Sequence, residues 1–167
     1  MHRRNKTLKW ALNQFINRSL QGISYRLDAG FAKPTGITMC LTLRCNIKCR
    51  QCAIWRLPEK RELPAEVWKK VIYDLRKWIG PYRVRLVGVE IFIRKDIIEI
   101  IEYATKNDVI TGIVSNGTLI TESLAADIVN SGLGYLYISM DGINPETHDC
   151  IRGIEGTYKK AMSSIDY

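Results

Sequence analysis

The chain has 167 residues, long enough for one domain with a hydrophobic core, and its hydrophobic content of 46% is ordinary for a globular protein. Its five cysteines, an odd number in an intracellular-looking pattern, argue against a secreted disulfide scaffold. No apolar run approaches the roughly 18 residues that a membrane span requires, and the basic start leads into an amphipathic segment instead of a signal peptide. We therefore expect a cytoplasmic protein without a transmembrane segment.

The net charge of +8 is concentrated at the N-terminus. Residues 1–35 contain seven basic residues and one acidic residue, so they carry +6, and the rest of the chain is nearly neutral. Apolar residues recur at close to helical spacing over residues 5–27, at Leu8, Leu12, Phe15, Ile16, Leu20, Ile23 and Leu27. We predict a helix whose apolar face packs against the domain and whose basic face is solvated. A helix lying on a membrane surface is the alternative, and nucleic acid is not expected as a partner.

Three of the five cysteines follow a predicted strand at residues 37–42 and lie within eight residues, with the spacing C-x3-C-x2-C: Cys45, Cys49 and Cys52. Thiolates are the ligands that iron–sulfur clusters and zinc select. An iron–sulfur cube usually takes four cysteines, so a local set of three would leave one iron open to a substrate or cofactor. Structural zinc needs a fourth ligand, which Cys40 could supply only from within the strand. Zinc and inert buried thiols are the two alternatives.

The rest of the chain alternates between apolar strands and amphipathic helices. Strands are predicted at residues 37–42, 84–89, 109–114 and 135–140. Helices are predicted to begin at Pro64, Asp96 and Thr121, with further helical turns from Asn144 or Thr147 and from Thr157. After Thr121, we expect Leu124, Ile128 and Val129 to face the core. This order predicts an α/β fold with a parallel sheet, either a wound sheet or an open (β/α) barrel.

Residues able to bind a ligand follow the later strands. The second strand ends in Gly88-Val89-Glu90-Ile91, followed by Arg94 and Asp96; the third ends in Ser115-Asn116-Gly117; the fourth ends in Ser139-Met140-Asp141-Gly142, with Arg152-Gly153 beyond. Each segment also has a purely structural interpretation. Asn116-Gly117 could form an ordinary turn, Asp141 could cap the next helical turn, and Arg152 could form a surface salt bridge. Because parallel strands place their carboxyl ends at one edge, we expect these segments to lie near the cysteine loop.

Together, the cysteine loop and the strand ends resemble the radical S-adenosylmethionine (radical SAM) superfamily over residues 37–167. The resemblance implies that Cys45, Cys49 and Cys52 bind a [4Fe-4S] cluster whose fourth iron is chelated by S-adenosyl-L-methionine. It implies a cofactor site made by Gly88, Val89, Glu90, Ser115, Asn116, Ser139, Asp141 and Arg152. In this reading the backbone after the second strand meets the methionyl amino group, and Arg152 faces the methionyl carboxylate.

Three departures from the family pattern stand out. The family's G-G-E-P segment reads G-V-E-I here, because Val89 replaces a glycine and Ile91 replaces a proline. A valine limits close approach and positive φ, and the lost proline loosens the turn. Gln51 stands where the family usually has an aromatic residue. The family core has six β/α units, and only about four are predicted here. We therefore interpret the chain as a basic amphipathic helix and linker, residues 1–35, followed by an incomplete, C-terminally truncated core domain, residues 36–167, forming a partial (β/α) barrel.

The resemblance implies a radical SAM enzyme, or its N-terminal fragment. Such an enzyme reductively cleaves its cofactor to a 5′-deoxyadenosyl radical, which abstracts hydrogen from a peptide or small-molecule biosynthetic precursor. It requires an electron donor such as flavodoxin or ferredoxin. The alternative is a truncated or degenerate iron–sulfur protein without catalysis. No general acid or base is assigned.

Overall fold

A computed structural model describes residues 2–34, 36–58 and 61–167. In chain order its elements are α1 (His2–Leu27), β1 (Gly36–Thr42), α2 (Ala65–Ile79), β2 (Arg83–Gly88), α3 (Ile97–Lys106), β3 (Ile110–Ser115), α4 (Glu122–Asn130), β4 (Tyr135–Ile138), α5 (Pro145–Arg152) and α6 (Thr157–Asp166). Single 3₁₀ turns occur at Ile54–Arg56 and Ile91–Ile93. The predicted strands and helices are confirmed. The division at residue 35 stays a prediction, and Thr35 itself lies outside the described residues.

The four strands form one parallel sheet in the order β1-β2-β3-β4. Each strand pairs with the next one along the chain, as expected when successive β-α units wind in one direction. This arrangement confirms the predicted partial barrel of parallel strands. It also places the carboxyl ends of all four strands at a single edge of the sheet.

One side of the sheet packs against helices and forms the core. Met39, Leu86 and Ile113 lie side by side in the register of β1, β2 and β3, and all three are buried. They belong to the same cluster as Ile72 of α2 and Ile100 of α3, whose side chains are fully buried. Burial of these aliphatic side chains stabilises the sheet and orients its carboxyl edge.

The other side of the sheet is the inner face of the partial barrel, and it is open and more polar. Arg85 lies between Thr38 and Gly112 in the register, and Gly112 lies beside Tyr135. A Cβ atom on Gly112 would overlap the Tyr135 ring, so the glycine leaves room for that ring. The Tyr137 ring meets the Tyr135 ring edge to face, with 5.4 Å between centroids.

Helix α1 crosses the amino ends of β2 and β3 and contacts them through its polar face. The Asn13 amide donates to the carbonyls of Ile79 (3.2 Å) and Pro81 (2.8 Å). The Trp10 ring lies 3.6 Å from the Arg83 guanidinium carbon. Because the carbonyls at a helix C-terminus have no partner within the helix, the end of α2 offers acceptors that the polar face of α1 satisfies.

The prediction that the apolar face of α1 packs on the domain is therefore wrong. Six residues of that face are between 46% and 71% exposed: Leu8, Leu12, Phe15, Ile16, Ile23 and Leu27. Periodicity identifies the apolar face of a helix but not the direction in which that face points. In the part of the chain that the structure describes, no helix is both long and apolar enough to cross a bilayer.

A second burial prediction fails in α4. The prediction that Val129 faces the core is wrong, because its side chain is 76% exposed, whereas its neighbour Ile128 is 5% exposed. Successive residues of a helix are about 100° apart, so a short helix packed through Ile128 turns the next side chain outward.

Candidate functional site

The cysteine loop, residues 43–53, follows β1 at the carboxyl edge of the sheet. Its hydrogen bonds to other segments include Glu90 N to Arg44 O (2.9 Å), Arg50 N to Ile151 O (2.9 Å) and Asn116 Nδ2 to Asn46 Oδ1 (3.0 Å). The loop is thus attached to the ends of β2 and β3 and to α5. These attachments hold the cysteines over the edge where the strands end.

A cavity of about 140 Å³ lies at this edge. Its lining includes the three cysteines of the loop and six other predicted site residues: Gly88, Val89, Ser115, Asn116, Ser139 and Arg152. Glu90 and Asp141 are the two predicted site residues that do not line it. The tertiary structure therefore gathers segments that are more than a hundred residues apart in sequence into one recess.

The three thiols differ in environment. Cys49 is buried, and Cys45 and Cys52 are partly exposed. Burial raises the pKa of the Cys45 thiol. The Arg152 Nη1 atom lies 3.8 Å from the Cys49 sulfur, so this guanidinium reaches the cysteine loop. Over residues 2–34, 36–58 and 61–167, however, no three Cys, His, Asp or Glu side chains converge on a point that could hold a metal ion.

The remaining cysteines lie away from this recess. Cys40 lines a separate cavity with Thr42 and Trp68, and Cys150 is exposed on α5. Within the described residues, no fourth cysteine joins the trio to close a four-thiolate zinc site. In an iron–sulfur cluster each thiolate binds a different iron, so the three sulfurs need not converge on one point. The number and softness of the donors in this recess therefore fit a cluster that takes three protein thiolates.

Glu90 is fully buried beneath the cavity. Its carboxylate accepts hydrogen bonds from Ser115 Oγ (2.9 Å), Asn116 N (2.8 Å) and Phe92 N (3.1 Å). Burial raises the pKa of Glu90, and these hydrogen bonds oppose the shift. The side chain therefore holds the end of β3 in place, and its direct contact with a cofactor stays a prediction.

Arg152 is buried, so the surface salt bridge considered for it from the sequence is not what the structure shows. Its Nε lies 2.7 Å from Asp141 Oδ2, and its Nη2 donates to the Ser139 carbonyl at 2.8 Å. Gln51 Nε2 donates to the other Asp141 oxygen at 3.2 Å. Asp141 thus orients the guanidinium toward the recess, and Gln51 fixes Asp141 in turn.

Residues 39–167 match the sequence model of the Radical SAM superfamily. The chain belongs to the radical SAM superfamily. The match runs from the middle of β1 to the end of α6 and includes every predicted site residue. The first 38 residues, including α1, lie outside it.

Individual superfamily members are similar to this chain over part of their length. Fe-coproporphyrin III synthase of Methanosarcina barkeri is 35% identical over 127 residues, which are 75% of this chain and 31% of that protein. Mycofactocin maturase MftC of Mycolicibacterium smegmatis is 30% identical over 142 residues, or 84% and 36% of the two chains. The chain spans about a third of the length of the curated relatives that it matches.

Solved structures of the superfamily share the fold. Native anSMEcpe with bound AdoMet superposes with a TM-score of 0.68 at 21% identity, covering 80% of this chain and 40% of that one. Streptococcus suis SuiB bound to S-adenosylmethionine gives a TM-score of 0.66 at 20% identity, covering 80% and 32%. At this identity the likeness concerns the backbone fold alone.

The structure shows how the chain accommodates the G-V-E-I segment, which departs from the radical SAM pattern at Val89 and Ile91. A Cβ atom on Gly88 would overlap Thr42 Cγ2 and lie 3.0 Å from the Thr42 carbonyl, so the first glycine is required by the approach of β1. Within the described chain, the non-glycine residues with positive φ are Asp28 and Asp108, so Val89 adopts an ordinary conformation. Ile91, in the proline position, is fully buried in the core.

Sequence reasoning missed His148, which lies behind the Asp141–Arg152 pair. Its side chain is fully buried, and its Nδ1 accepts a hydrogen bond from Asp141 N at 3.2 Å. Burial lowers the pKa of His148, and the nearby Arg152 charge acts in the same direction. The sequence did contain one indication of this role, because the four-residue spacing between His148 and Arg152 places both side chains on one face of α5.

Proposed function

We propose that this chain is the cofactor-binding part of a radical SAM enzyme. The observation that carries the proposal is the recess in which the three cysteines meet the ends of β2, β3 and β4. Cys45, Cys49 and Cys52 would hold a [4Fe-4S] cluster, because three soft donors leave one iron position open. When bound, the cluster and S-adenosyl-L-methionine supply a 5′-deoxyadenosyl radical that abstracts hydrogen from the substrate.

The protein's own contribution is to bind and orient the cofactor. Arg152 presents a guanidinium fork suited to a carboxylate, and Asp141 keeps that fork in one orientation. Ser115 and Asn116 add polar groups whose positions are held by Glu90. Because these groups are fixed before a ligand arrives, little ordering is needed on binding.

We further propose a peptide or small-molecule biosynthetic precursor as substrate. The relatives include PqqA peptide cyclase of Bradyrhizobium diazoefficiens as well as Fe-coproporphyrin III synthase, so both substrate classes occur among them. A low-potential donor such as flavodoxin or ferredoxin would supply the electron. The reducing conditions that an exposed cluster needs are those of the cytoplasm.

The decisive experiment is anaerobic reconstitution with iron and sulfide, followed by measurement of 5′-deoxyadenosine under strong reductant. We expect about four irons per chain and a brown charge-transfer band. Cys49→Ala should abolish both, whereas Cys150→Ala, which alters an exposed thiol on α5, should change neither. Stoichiometric zinc without iron uptake would overturn the proposal. A stable cluster without cofactor cleavage would favour the non-catalytic iron–sulfur protein.

A further inference from the structure

The exposed apolar face of α1 is the least explained surface of the chain. It comprises Leu8, Leu12, Phe15, Ile16 and Ile23, which are between 46% and 71% exposed and recur along one side of the helix. Single exposed apolar residues are common on protein surfaces, whereas a continuous apolar stripe exposed along a long helix marks an interaction site. The radical SAM fold of residues 39–167 does not include this helix.

The polar contacts of α1 keep this face turned outward. Asn13 bridges the carbonyls of Ile79 and Pro81, and Lys9 Nζ forms an ion pair with Asp108 at 2.9 Å. Rotating the helix to bury its apolar face would break these contacts and carry Asn17, which is 5% exposed, into solvent. The outward orientation is therefore built into the contact with the domain.

The charge around the face indicates the chemistry of its partner. Residues 1–35 carry +6 of the net charge of +8. Arg18 lies about one turn from Phe15, and Arg26 lies about five turns beyond Leu8 on the same line of the helix. In the described part of the chain, neither arginine forms an ion pair. An apolar stripe flanked by arginines is typical of helices that lie in the interface of an anionic bilayer.

We propose that α1 docks this protein on the surface of an anionic lipid bilayer. The apolar stripe enters the boundary between headgroups and acyl chains, and Arg18 and Arg26 meet the lipid phosphates. A second copy of the chain is the less favourable occupant, because pairing two α1 faces would bring together the unpaired Arg18 and Arg26 charges of both copies.

This arrangement has a geometric consequence for the cysteine recess. Helix α1 covers the amino ends of the strands, whereas the recess lies at their carboxyl ends. With α1 against the membrane, the recess faces away from the lipid. Membrane docking therefore leaves the recess open to soluble molecules, and the docking does not depend on the function proposed for that recess.

The test is flotation of the full chain with vesicles of phosphatidylcholine, with and without phosphatidylglycerol. We expect binding to the anionic vesicles only, with a partition coefficient that falls as salt rises. The triple variant Leu8→Gln, Leu12→Gln, Phe15→Gln should bind at least about tenfold more weakly. Arg18→Gln and Arg26→Gln should each weaken binding about fivefold.

The matched control replaces three exposed isoleucines outside α1, with Ile143→Gln, Ile154→Gln and Ile165→Gln, which are 93%, 44% and 56% exposed. This variant should float like the unmodified chain. Equal binding by the α1 and control variants would overturn the proposal. A concentration-dependent dimer that the α1 triple variant abolishes, without flotation of the unmodified chain, would assign the face to a second copy instead.

Discussion

Arg152 and Asp141 form an ion pair at the edge of the cysteine recess, with 2.7 Å between Nε and Oδ2. The pair joins α5 to the end of β4, and the same guanidinium approaches the Cys49 sulfur. One arginine thus connects the proposed cluster loop with the proposed cofactor site.

Replacing the acidic partner should disturb both stability and cofactor binding. Asp141→Asn leaves the largely buried Arg152 charge without its counterion, which should lower the free energy of unfolding by about 1–3 kcal/mol. It should weaken S-adenosyl-L-methionine binding more than it lowers iron content, because the guanidinium loses its orientation. Denaturant titration and calorimetric binding to reconstituted protein measure the two effects.

The control for this substitution is Asp74→Asn, which removes the exposed partner of Lys70 on α2. An exposed pair of this kind contributes little, so the change should stay within about 0.5 kcal/mol. Equal effects of the two variants would show that the Asp141–Arg152 pair has no special role.

The buried carboxyl of Glu90 should make stability depend on pH. Because burial raises the pKa of Glu90 in the folded state, the folded protein holds that proton to higher pH than the unfolded chain does. The contribution of this group is therefore greatest below the ordinary glutamate pKa of about 4.3 and is lost as pH rises through the folded pKa. Glutamine does not titrate, so Glu90→Gln should not lose stability in this way. The free energy of unfolding of the variant, relative to that of the unmodified chain, should therefore rise as pH increases from about 4.3 through the folded pKa of Glu90.

Thermal or denaturant unfolding at a series of pH values measures this difference. Glu66→Gln provides the control, because the Glu66 side chain is 79% exposed. A pH-independent difference between Glu90→Gln and the unmodified chain would show that Glu90 has the same pKa in both states.

Gly88 should not tolerate a side chain. Gly88→Ala places a methyl group against Thr42 of β1, and such overpacking typically costs about 1–3 kcal/mol. Gly36→Ala is the matched control at the other end of the paired strands, since no atom lies within 4 Å of the Cβ position there. Denaturant unfolding should separate the two variants, and similar stabilities would show that β1 moves aside freely.

The two departures in the G-V-E-I segment, Val89 and Ile91, should have separate effects, one on cofactor affinity and one on stability. We expect the chain as it stands to bind S-adenosyl-L-methionine weakly and to turn over little. Val89→Gly removes a side chain from the recess and should increase cofactor affinity. Ile91→Pro instead removes a fully buried side chain and should lower stability by about 2–4 kcal/mol.

Calorimetric titration and denaturant unfolding of the two single variants test this division. Unchanged affinity in Val89→Gly would show that the valine is harmless. Cofactor turnover by the unmodified chain at rates usual for complete enzymes would show that four strands suffice.

Much of this protein could be predicted from local sequence. The alternation of strands and helices follows from hydrophobic periodicity and from turn residues that act on their own neighbours. The cysteine spacing is equally local, and parallel strands necessarily bring their carboxyl ends to one edge. The recess that joins Cys45, Gly88, Ser139 and Arg152 could therefore be anticipated without coordinates.

What only the tertiary structure decided is the direction in which particular side chains point. Glu90 turns beneath the recess because Ser115 and Asn116 offer donors from a different strand. The apolar face of α1 points outward because carbonyls at Ile79 and Pro81 attract the polar face. Each orientation depends on partners more than twenty residues away, and a sequence pattern carries no information on where such partners lie in space.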